Sequence, residues 1–171
     1  MGRGEYVLYH GNLSVPENEK ASMYLMENVF PGLKHRLIVA GHEPTKHLRN
    51  AAARHDNVKL IASPDDDTMT RLIAEAQINM LVTDQPTGLK LKLLYSLFAG
   101  RYCIVNSNML SGTTLGRLCT VADGPEALRQ AVDRLMNRDF DSSQLEQRRH
   151  ELQPYITANA IKPLLDIVSN V

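Results

Sequence analysis

The sequence has little that would anchor it in a membrane or attract a polyanion. Its 19 basic residues are balanced by 19 acidic residues, so the formal net charge is zero. No broad electrostatic surface for nucleic acid or lipid follows from this balance. No apolar stretch approaches the ~20 residues of a membrane span, and no signal-peptide pattern is present. We therefore expect a cytoplasmic protein that binds no nucleic acid and does not span a membrane.

Cysteine and the common catalytic motifs are also scarce. The 171 residues include two cysteines, both in strand-like patterns, which predicts reduced, buried thiols rather than a disulfide or a metal pair. The six histidines show no metal-ligand spacing, and there is no Gly-x-Ser-x-Gly elbow. Phosphate loops of the Gly-x4-Gly-Lys-Ser/Thr and Gly-x-Gly-x2-Gly types are absent. We therefore expect neither a metal ion nor a bound cofactor.

One acidic cluster stands out against these absences. Asp65, Asp66 and Asp67 follow a Ser-Pro pair. Three carboxylates in a row are candidate ligands for Mg²⁺ or Mn²⁺. Carboxylates in this position also stabilise the first turn of a helix through capping and the helix dipole. We interpret the cluster as a helix start.

The chain as a whole alternates short apolar runs with longer helical patterns. Strands are predicted at residues 6–10, 37–40, 58–61, 78–82, 102–105 and, more briefly, 118–121. The helices between them require crossover connections, which favours a parallel sheet covered on both faces. We predict an α/β fold, a Rossmann-like doubly wound parallel sheet of about six strands. It forms a single domain over residues 1–171, with a core at 5–142 and closing helices at 143–171, near 143–153 and 156–168.

The strongest functional signal lies between the fourth and fifth predicted strands. The turn formed by Thr87 and Gly88 leads into a leucine-rich helix that is flanked at its start by Lys90 and Lys92 and ends at Gly100. Exposed amides at the positive end of a helix dipole, next to lysines, suit a phosphate group. Leucine-rich helices with a few lysines are also ordinary in α/β domains, so a plain helix surface is the alternative.

Other turns fall at the same predicted edge of the sheet. Gly11 and Gly41 each follow a strand directly, as does the turn at Thr87. In open α/β sheets, ligands bind outside the carboxyl ends of the strands, where the strand order reverses. His10 ends the first strand, and both a structural role and a contact with ligand are open for it.

Several of these segments together resemble a known family. Residues 6–14, Tyr-Val-Leu-Tyr-His-Gly-Asn-Leu-Ser, are similar to the first strand and glycine turn of the C-terminal half of a GT-B glycosyltransferase of the group 1 (family 4) type. Residues 16–18, Pro-Glu-Asn, look like the Pro-Asn element of some members. Residues 87–94, Thr-Gly-Leu-Lys-Leu-Lys-Leu-Leu, are similar to the family's Gly-x-Lys-x-Lys helix. The resemblance covers nearly the whole chain.

The resemblance implies a domain that binds a nucleotide-diphosphate sugar without a metal. In the family, the turn before the long helix offers backbone amides to the diphosphate, and the glycine turn after the first strand approaches the donor phosphate and sugar. The donor-binding positions implied here are Gly11, Asn12, Thr87, Gly88, Leu89, Lys90 and Lys92.

The sequence departs from the family at the ribose. Thr87 and Tyr95 stand where the family has the carboxylates of its Glu-x7-Glu pattern, and Tyr95 takes the ribose position. A phenol makes a single donated or accepted hydrogen bond, whereas a carboxylate makes charge-assisted bonds to two hydroxyls. Asn12 also stands where many members have an arginine that pairs with phosphate, and Lys20 is its candidate substitute.

Two functions follow from the resemblance. The first is the donor-binding domain of a glycosyltransferase of the hexosyltransferase type, which transfers a sugar to a glycan or glycoconjugate in polysaccharide biosynthesis. Because the family places the acceptor in an N-terminal domain of similar size, we expect this chain alone to be an inactive fragment that lacks that partner domain. The alternative is a non-catalytic GT-B-like binding or scaffolding domain that has lost its ribose clamp. Catalytic residues are not assigned.

Overall fold

The sheet of this protein is entirely parallel. In the computed structural model, which describes residues 2–86 and 91–157, one six-stranded sheet is formed. Its strands are β1 (Tyr6–His10), β2 (Arg36–Gly41), β3 (Val58–Ala62), β4 (Ile78–Leu81), β5 (Tyr102–Val105) and β6 (Thr120–Val121). Their spatial order is β3-β2-β1-β4-β5-β6, and every neighbouring pair is parallel. This is the strand order of a Rossmann fold.

Helices connect these strands. They are α1 (Pro16–Tyr24), α2 (Lys46–Ala52), α3 (Asp66–Glu75), α4 (Leu91–Ala99), α5 (Ser107–Leu110), α6 (Pro125–Met136) and α7 (Ser142–Thr157). A π-helical turn, Leu25–Val29, continues α1, and a 3-10 turn, Leu115–Leu118, precedes β6. Over residues 2–86 and 91–157, none of the helices is both long and apolar enough to cross a membrane.

Several predicted boundaries differ from the observed ones. The bounds of β2, β3, β4 and β6 differ by one or two residues at one or both ends. The sequence predicted that the first closing helix ends at about residue 153, but α7 continues to Thr157. A proline is only a probable helix boundary, and this helix passes through one. The Ser-x-x-Glu spacing of residues 14–17 predicts that Ser14 caps the first helix. This prediction is wrong, because the N-cap is Val15. Residues 158–171, where a last helix was predicted, lie outside the described part.

Both faces of the sheet are covered. Side chains alternate along each strand, so Val7 and Tyr9 join the buried cluster formed with α1, α2 and α6. Leu8 lies on the opposite face, with Ile73 of α3 and with Tyr95 of α4 against the same cluster. The predicted doubly wound architecture is therefore confirmed.

The last described helix is attached to the end of the sheet where β5 begins. Arg148 of α7 is only 5% exposed, and its guanidinium donates to the carbonyl oxygens of Gly100 and Arg101. α7 thereby holds the turn that ends α4 and fixes the far end of that helix.

The two cysteines lie near this contact. Cys103 is buried and Cys119 is half-buried, and both are free thiols. Burial raises the pKa of the Cys103 thiol to about 12.

Candidate functional site

The strand order reverses at the centre of the sheet. β1 and β4 are neighbours there, and the chain leaves β1 toward α1 on one face and leaves β4 toward α4 on the other. A crevice outside the carboxyl ends of the strands is the expected result of such a reversal. We call the space bounded by Gly11, Asn12 and Lys92 the switch-point crevice.

The turns after β1 and β2 are packed directly against each other. The amide of Gly11 donates to the carbonyl oxygen of Ala40 at 3.2 Å, and that of Leu13 donates to His42 at 2.9 Å. A Cβ at Gly41 would lie 1.7 Å from the carbonyl oxygen of Gly11. Because that distance is far below van der Waals contact, the conformation of the Gly11 turn requires glycine at position 41.

A lysine from α4 reaches the end of β1. The Nζ of Lys92 donates to Asn18 Oδ1 at 3.2 Å and lies 5.3 Å from the centroid of the Tyr9 ring. The hydroxyl of Tyr9 donates to the same Asn18 oxygen at 3.2 Å. Asn18 in turn donates from Nδ2 to the carbonyl oxygen of Asn12 at 2.9 Å. One asparagine therefore ties the ammonium group to the turn that carries Gly11 and Asn12.

The side chain of Asn12 shapes its own turn. Its Oδ1 accepts hydrogen bonds from the backbone amide of Ser14 at 3.1 Å and from the Ser14 hydroxyl at 2.7 Å. An asparagine that bonds two residues ahead in this way stabilises a tight turn. This explains why Ser14 does not cap α1, since its hydroxyl is directed to Asn12.

His10 lies beneath the crevice as a neutral side chain. It is 6% exposed, and its Nε2 is 2.9 Å from the hydroxyl oxygen of Ser96 on α4. Burial, with a further contribution from the nearby Lys92 ammonium, lowers the pKa of His10 to about 3. An uncharged imidazole in this position links β1 to α4, which is a structural role. It does not titrate near pH 7.

Tyr95 is directed toward α3. Its hydroxyl oxygen is 2.9 Å from Oγ1 of Thr70, and its half-buried ring packs against the cluster that contains Leu8 and Ile73. The contact joins α3 to α4 one helical turn from Lys92. The ribose position suggested for Tyr95 stays a prediction.

Four of the predicted donor-binding residues cannot be placed. Thr87, Gly88, Leu89 and Lys90 lie outside the described residues, and α4 is described from Leu91. Of the remaining predicted positions, the structure brings Gly11, Asn12 and Lys92 together through Asn18.

The predicted helix start at the acidic cluster is present in the structure. Asp65 is the N-cap of α3, and its carboxylate accepts a hydrogen bond from the amide of Thr68 at 2.8 Å. Hydrogen bonds from the Thr68 hydroxyl and from this amide lower the pKa of the Asp65 carboxyl. Within the part of the chain that the structure describes, no group of three or more His, Cys, Asp or Glu side chains is arranged to hold a metal ion.

A separate cavity opens on the other side of β4. We call it the α1–α6 pocket: it measures about 240 Å³ and is lined by Lys20, Ala21, Tyr24, Val82, Thr83, Asp84, Asn106 and Leu128. Ala21, Val82 and Leu128 form a buried apolar floor. Lys20 and Asp84 form an exposed ion pair of 2.5 Å at its rim.

Hydrogen bonds between loops stabilise the polar side of the pocket. Asn106 donates from Nδ2 to the carbonyl oxygen of Thr83 at 2.7 Å and accepts from the Thr83 amide at 3.2 Å. The Thr83 hydroxyl donates to the carboxylate of Glu17 on α1. The turns after β4 and β5 are thereby fixed relative to each other and to α1.

Sequence reasoning did not find this second group of residues. Asn18 entered the predictions only within the Pro-Glu-Asn segment of the family resemblance. No role was predicted for Thr83, Asp84 or Asn106. A signal for them exists in the pattern, because each of these three follows a strand within three residues. The ends of parallel strands meet at one edge, so polar residues at these positions are candidates for one site.

Comparison with known proteins now identifies the class of protein. Residues 4–138 match the family described as glycosyl transferases group 1. This chain belongs to that family. A comparison with curated protein sequences gave no match.

Solved structures agree on the fold. A UDP-forming α,α-trehalose-phosphate synthase from Burkholderia xenovorans superposes with a TM-score of 0.65 at 9% identity, covering 98% of this chain and 42% of that one. A glycosyltransferase of avilamycin A biosynthesis gives 0.61 at 14% identity, with coverage of 99% and 52%. The catalytic domain of starch synthase IV from Arabidopsis thaliana gives 0.54 at 16% identity, with coverage of 89% and 38%. This chain therefore spans about half or less of each of these proteins.

Proposed function

We propose that this chain is the donor-binding domain of a hexosyltransferase that transfers a sugar from a nucleotide-diphosphate sugar to a glycan or glycoconjugate. The observation that carries the proposal is the position of Lys92, whose ammonium is tied through Asn18 to the glycine turn at the switch-point crevice. A lysine beside a backbone turn at the end of a parallel sheet is a suitable site for a diphosphate.

The residues around the lysine support an anionic ligand. His10 is neutral because burial and the Lys92 charge disfavour its protonation, so the lysine supplies the positive charge there. Gly11 carries no side chain, which lets a phosphate approach the backbone of the turn closely. In the proposal, Thr87, Gly88, Leu89 and Lys90 complete the site by offering amides at the start of the α4 segment.

Two of the structurally similar proteins support a nucleoside diphosphate as the leaving group. The trehalose-phosphate synthase is named as UDP-forming, and the starch synthase domain was solved with ADP and acarbose. The charge of such a donor is matched by the lysine and backbone amides, so the proposal includes no metal ion. A cytoplasmic location and a role in polysaccharide biosynthesis belong to the same proposal.

The proposal assigns the acceptor to a second domain. Much of the acceleration in a two-substrate transfer comes from holding both reactants in attack geometry, which the donor-binding domain does not accomplish alone. We therefore expect binding without turnover for the 171 residues. Assays with a radiolabelled donor, on this chain and on the full-length gene product, test this: transfer by the isolated chain contradicts the assignment.

A second function has one observation in its favour. By the resemblance to the family, Tyr95 stands where a ribose-binding carboxylate is expected, and its hydroxyl is hydrogen-bonded to that of Thr70. A domain without a ribose clamp fits a non-catalytic binding or scaffolding module. In that case the full-length protein would bind no nucleotide and transfer no sugar.

Calorimetric titration separates the two functions. Uridine, guanosine and adenosine diphosphates are titrated into the wild-type chain, the Lys92→Ala variant and the matched Lys34→Ala variant. Lys34 is exposed in the turn before β2, at the opposite end of the sheet. Loss of a charge-assisted contact of about 1.5–3 kcal/mol should weaken binding by Lys92→Ala roughly tenfold to a hundredfold. Equal affinities for the two variants would contradict the proposed donor site.

A further inference from the structure

The α1–α6 pocket differs from a nucleotide site in size. Its volume of about 240 Å³ is below the range of roughly 300–1,000 Å³ that is typical for pockets of drug-sized ligands. A nucleoside diphosphate would not fit inside it. A ligand of one six-membered ring is a better match.

The charge of the pocket also disfavours a phosphate. Lys20 contributes one positive charge and is already paired with Asp84 at 2.5 Å. Burial raises the pKa of the Tyr24 phenol, and the carboxylates of Asp84 and Asp123 raise it further, so this lining group is neutral. The charged side chains of the lining, Lys20 and Asp84, offset each other, and the lining has no net charge. A neutral ligand rich in hydroxyl donors suits this balance.

Hydrogen bonds hold the loops around the pocket together. The carboxylate of Asp123 accepts from the amide of Ser107 at 2.9 Å and from its hydroxyl at 2.5 Å. Asn108 donates from Nδ2 to the carbonyl oxygen of Asp84 at 3.3 Å. Because the loops after β4, β5 and β6 brace each other, the acceptors need little reorganisation to receive a ligand.

The walls supply the apolar contact that a sugar ring needs. The floor is formed by Ala21, Val82 and Leu128, and Tyr24 of α1 lines the same space with its half-buried ring. A pyranose presents C–H groups on its faces and hydroxyls around its rim. Aliphatic and aromatic walls with a polar mouth are complementary to that shape.

We propose that the α1–α6 pocket binds a single uncharged sugar ring, with Asp84 accepting its hydroxyls and Tyr24 packing against it. This inference rests on the proposed function, since it adds a sugar subsite beside the switch-point crevice on the same edge of the sheet. The ring belongs either to the acceptor or to the donor, and the experiment distinguishes these sources.

The test uses methyl α- and β-glycosides of glucose, galactose and mannose, titrated into the ¹⁵N-labelled chain. We expect amide shifts at Tyr24, Thr83 and Asp84, with Asp84→Asn weakening the binding roughly tenfold because a charged acceptor is lost. The control is Asp56→Asn, which neutralises an exposed carboxylate in the turn before β3; it should bind as the wild type does. Tyr24→Leu, which retains apolar bulk, should also weaken binding. An absence of shifts at the pocket, or equal binding by Asp84→Asn and Asp56→Asn, would overturn the inference.

Nucleotide titrations in the same samples separate this inference from the proposed function. Asp84→Asn should bind nucleoside diphosphates as the wild type does, because Asp84 is outside the switch-point crevice. Nucleotide binding without glycoside binding overturns the sugar subsite alone, and failure of both overturns both. A nucleotide sugar that shifts pocket amides beyond the effect of its nucleotide assigns the ring to the donor. Continued glycoside binding in the presence of nucleotide sugar assigns it to the acceptor.

Discussion

The switch-point crevice and the α1–α6 pocket lie at the same edge of one sheet, yet their chemistry differs. The crevice combines the Lys92 ammonium with a glycine turn. The pocket has the Lys20–Asp84 ion pair and Asn106 around an apolar floor. The difference follows from the residues after each strand: glycine follows β1 and ends β2, whereas polar side chains follow β4 and β5. A cationic site and a site whose charges are paired are therefore separated by a single strand.

A substitution at Gly41, which contacts Gly11, should disturb the switch-point crevice most strongly. In Gly41→Ala, the added Cβ would lie 1.7 Å from the Gly11 carbonyl oxygen, so the turn must move. We expect a loss of about 3 kcal/mol or more in the free energy of unfolding, measured by urea denaturation. The matched control is Gly116→Ala, whose Cβ would meet nothing closer than Leu110 at 3.4 Å; it should change stability by less than about 1 kcal/mol. Equal losses in both variants would show that the two glycine turns do not constrain each other.

The pH dependence of stability tests the neutral His10. Its pKa in the folded protein is about 3, whereas a histidine in an unfolded chain has a pKa of about 6.5. As the pH falls from 6.5 toward 3, the unfolded chain takes up a proton that the folded protein does not bind. Above pH 6.5 the neutral His10 therefore has its full effect on stability. At pH 4.5 the free energy of unfolding is lower than that by roughly 2–3 kcal/mol.

The variant His10→Gln isolates this effect. Glutamine has no titrating proton, so between pH 7 and pH 4.5 this variant should lose about 2–3 kcal/mol less stability than the wild type does. The control His150→Gln changes an exposed histidine on α7 and should follow the wild-type curve. A wild-type pH profile identical to that of His10→Gln would mean that His10 is protonated in the folded protein.

Removal of the contact between Tyr95 and Thr70 should have the smallest effect on stability. It also tests whether Tyr95 lies at the ribose. Tyr95→Phe removes a hydrogen bond of 2.9 Å and should cost about 0.5–1.5 kcal/mol of stability. Tyr155→Phe is a matched control, since it removes a similar bond of 3.0 Å to Thr114 on an exposed site. Wild type and Tyr95→Phe should both prefer a nucleoside diphosphate over pyrophosphate by less than about tenfold, or 1.4 kcal/mol. A larger preference that disappears in Tyr95→Phe would place the tyrosine at the ribose.

Much of the fold was predictable from local patterns. β1 and β5 were predicted with the bounds that the structure has, Tyr6–His10 and Tyr102–Val105. Short apolar runs between helical segments suffice for this, because a buried parallel strand is apolar on both faces. The capping residue of α1 was wrong since Asn12 competes for Ser14, a local preference that the capping pattern does not include.

The site was predictable in position but not in its contacts. Glycines after strands indicate the edge where ligands bind, and Lys92 was chosen from the helix start. The bond from Lys92 to Asn18 joins residues 74 positions apart, and the bond from Tyr95 to Thr70 joins residues 25 apart. Both depend on how helices pack on the sheet. A one-dimensional pattern does not contain that packing.

The most direct measurement of the central claim is a titration of the ¹⁵N-labelled chain with pyrophosphate, followed by amide chemical shifts. A diphosphate held at the switch-point crevice should perturb Gly11, Asn12 and the amides near Lys92, and Lys92→Ala should abolish most of this response. The α1–α6 pocket, whose Lys20 ammonium is paired with Asp84, should be unaffected. Arg117 and Arg148 line a cavity near the residues where β5 and β6 begin, at the other edge of the sheet. Shifts centred on these two arginines would contradict the account. Equal responses in wild type and Lys92→Ala would also contradict it.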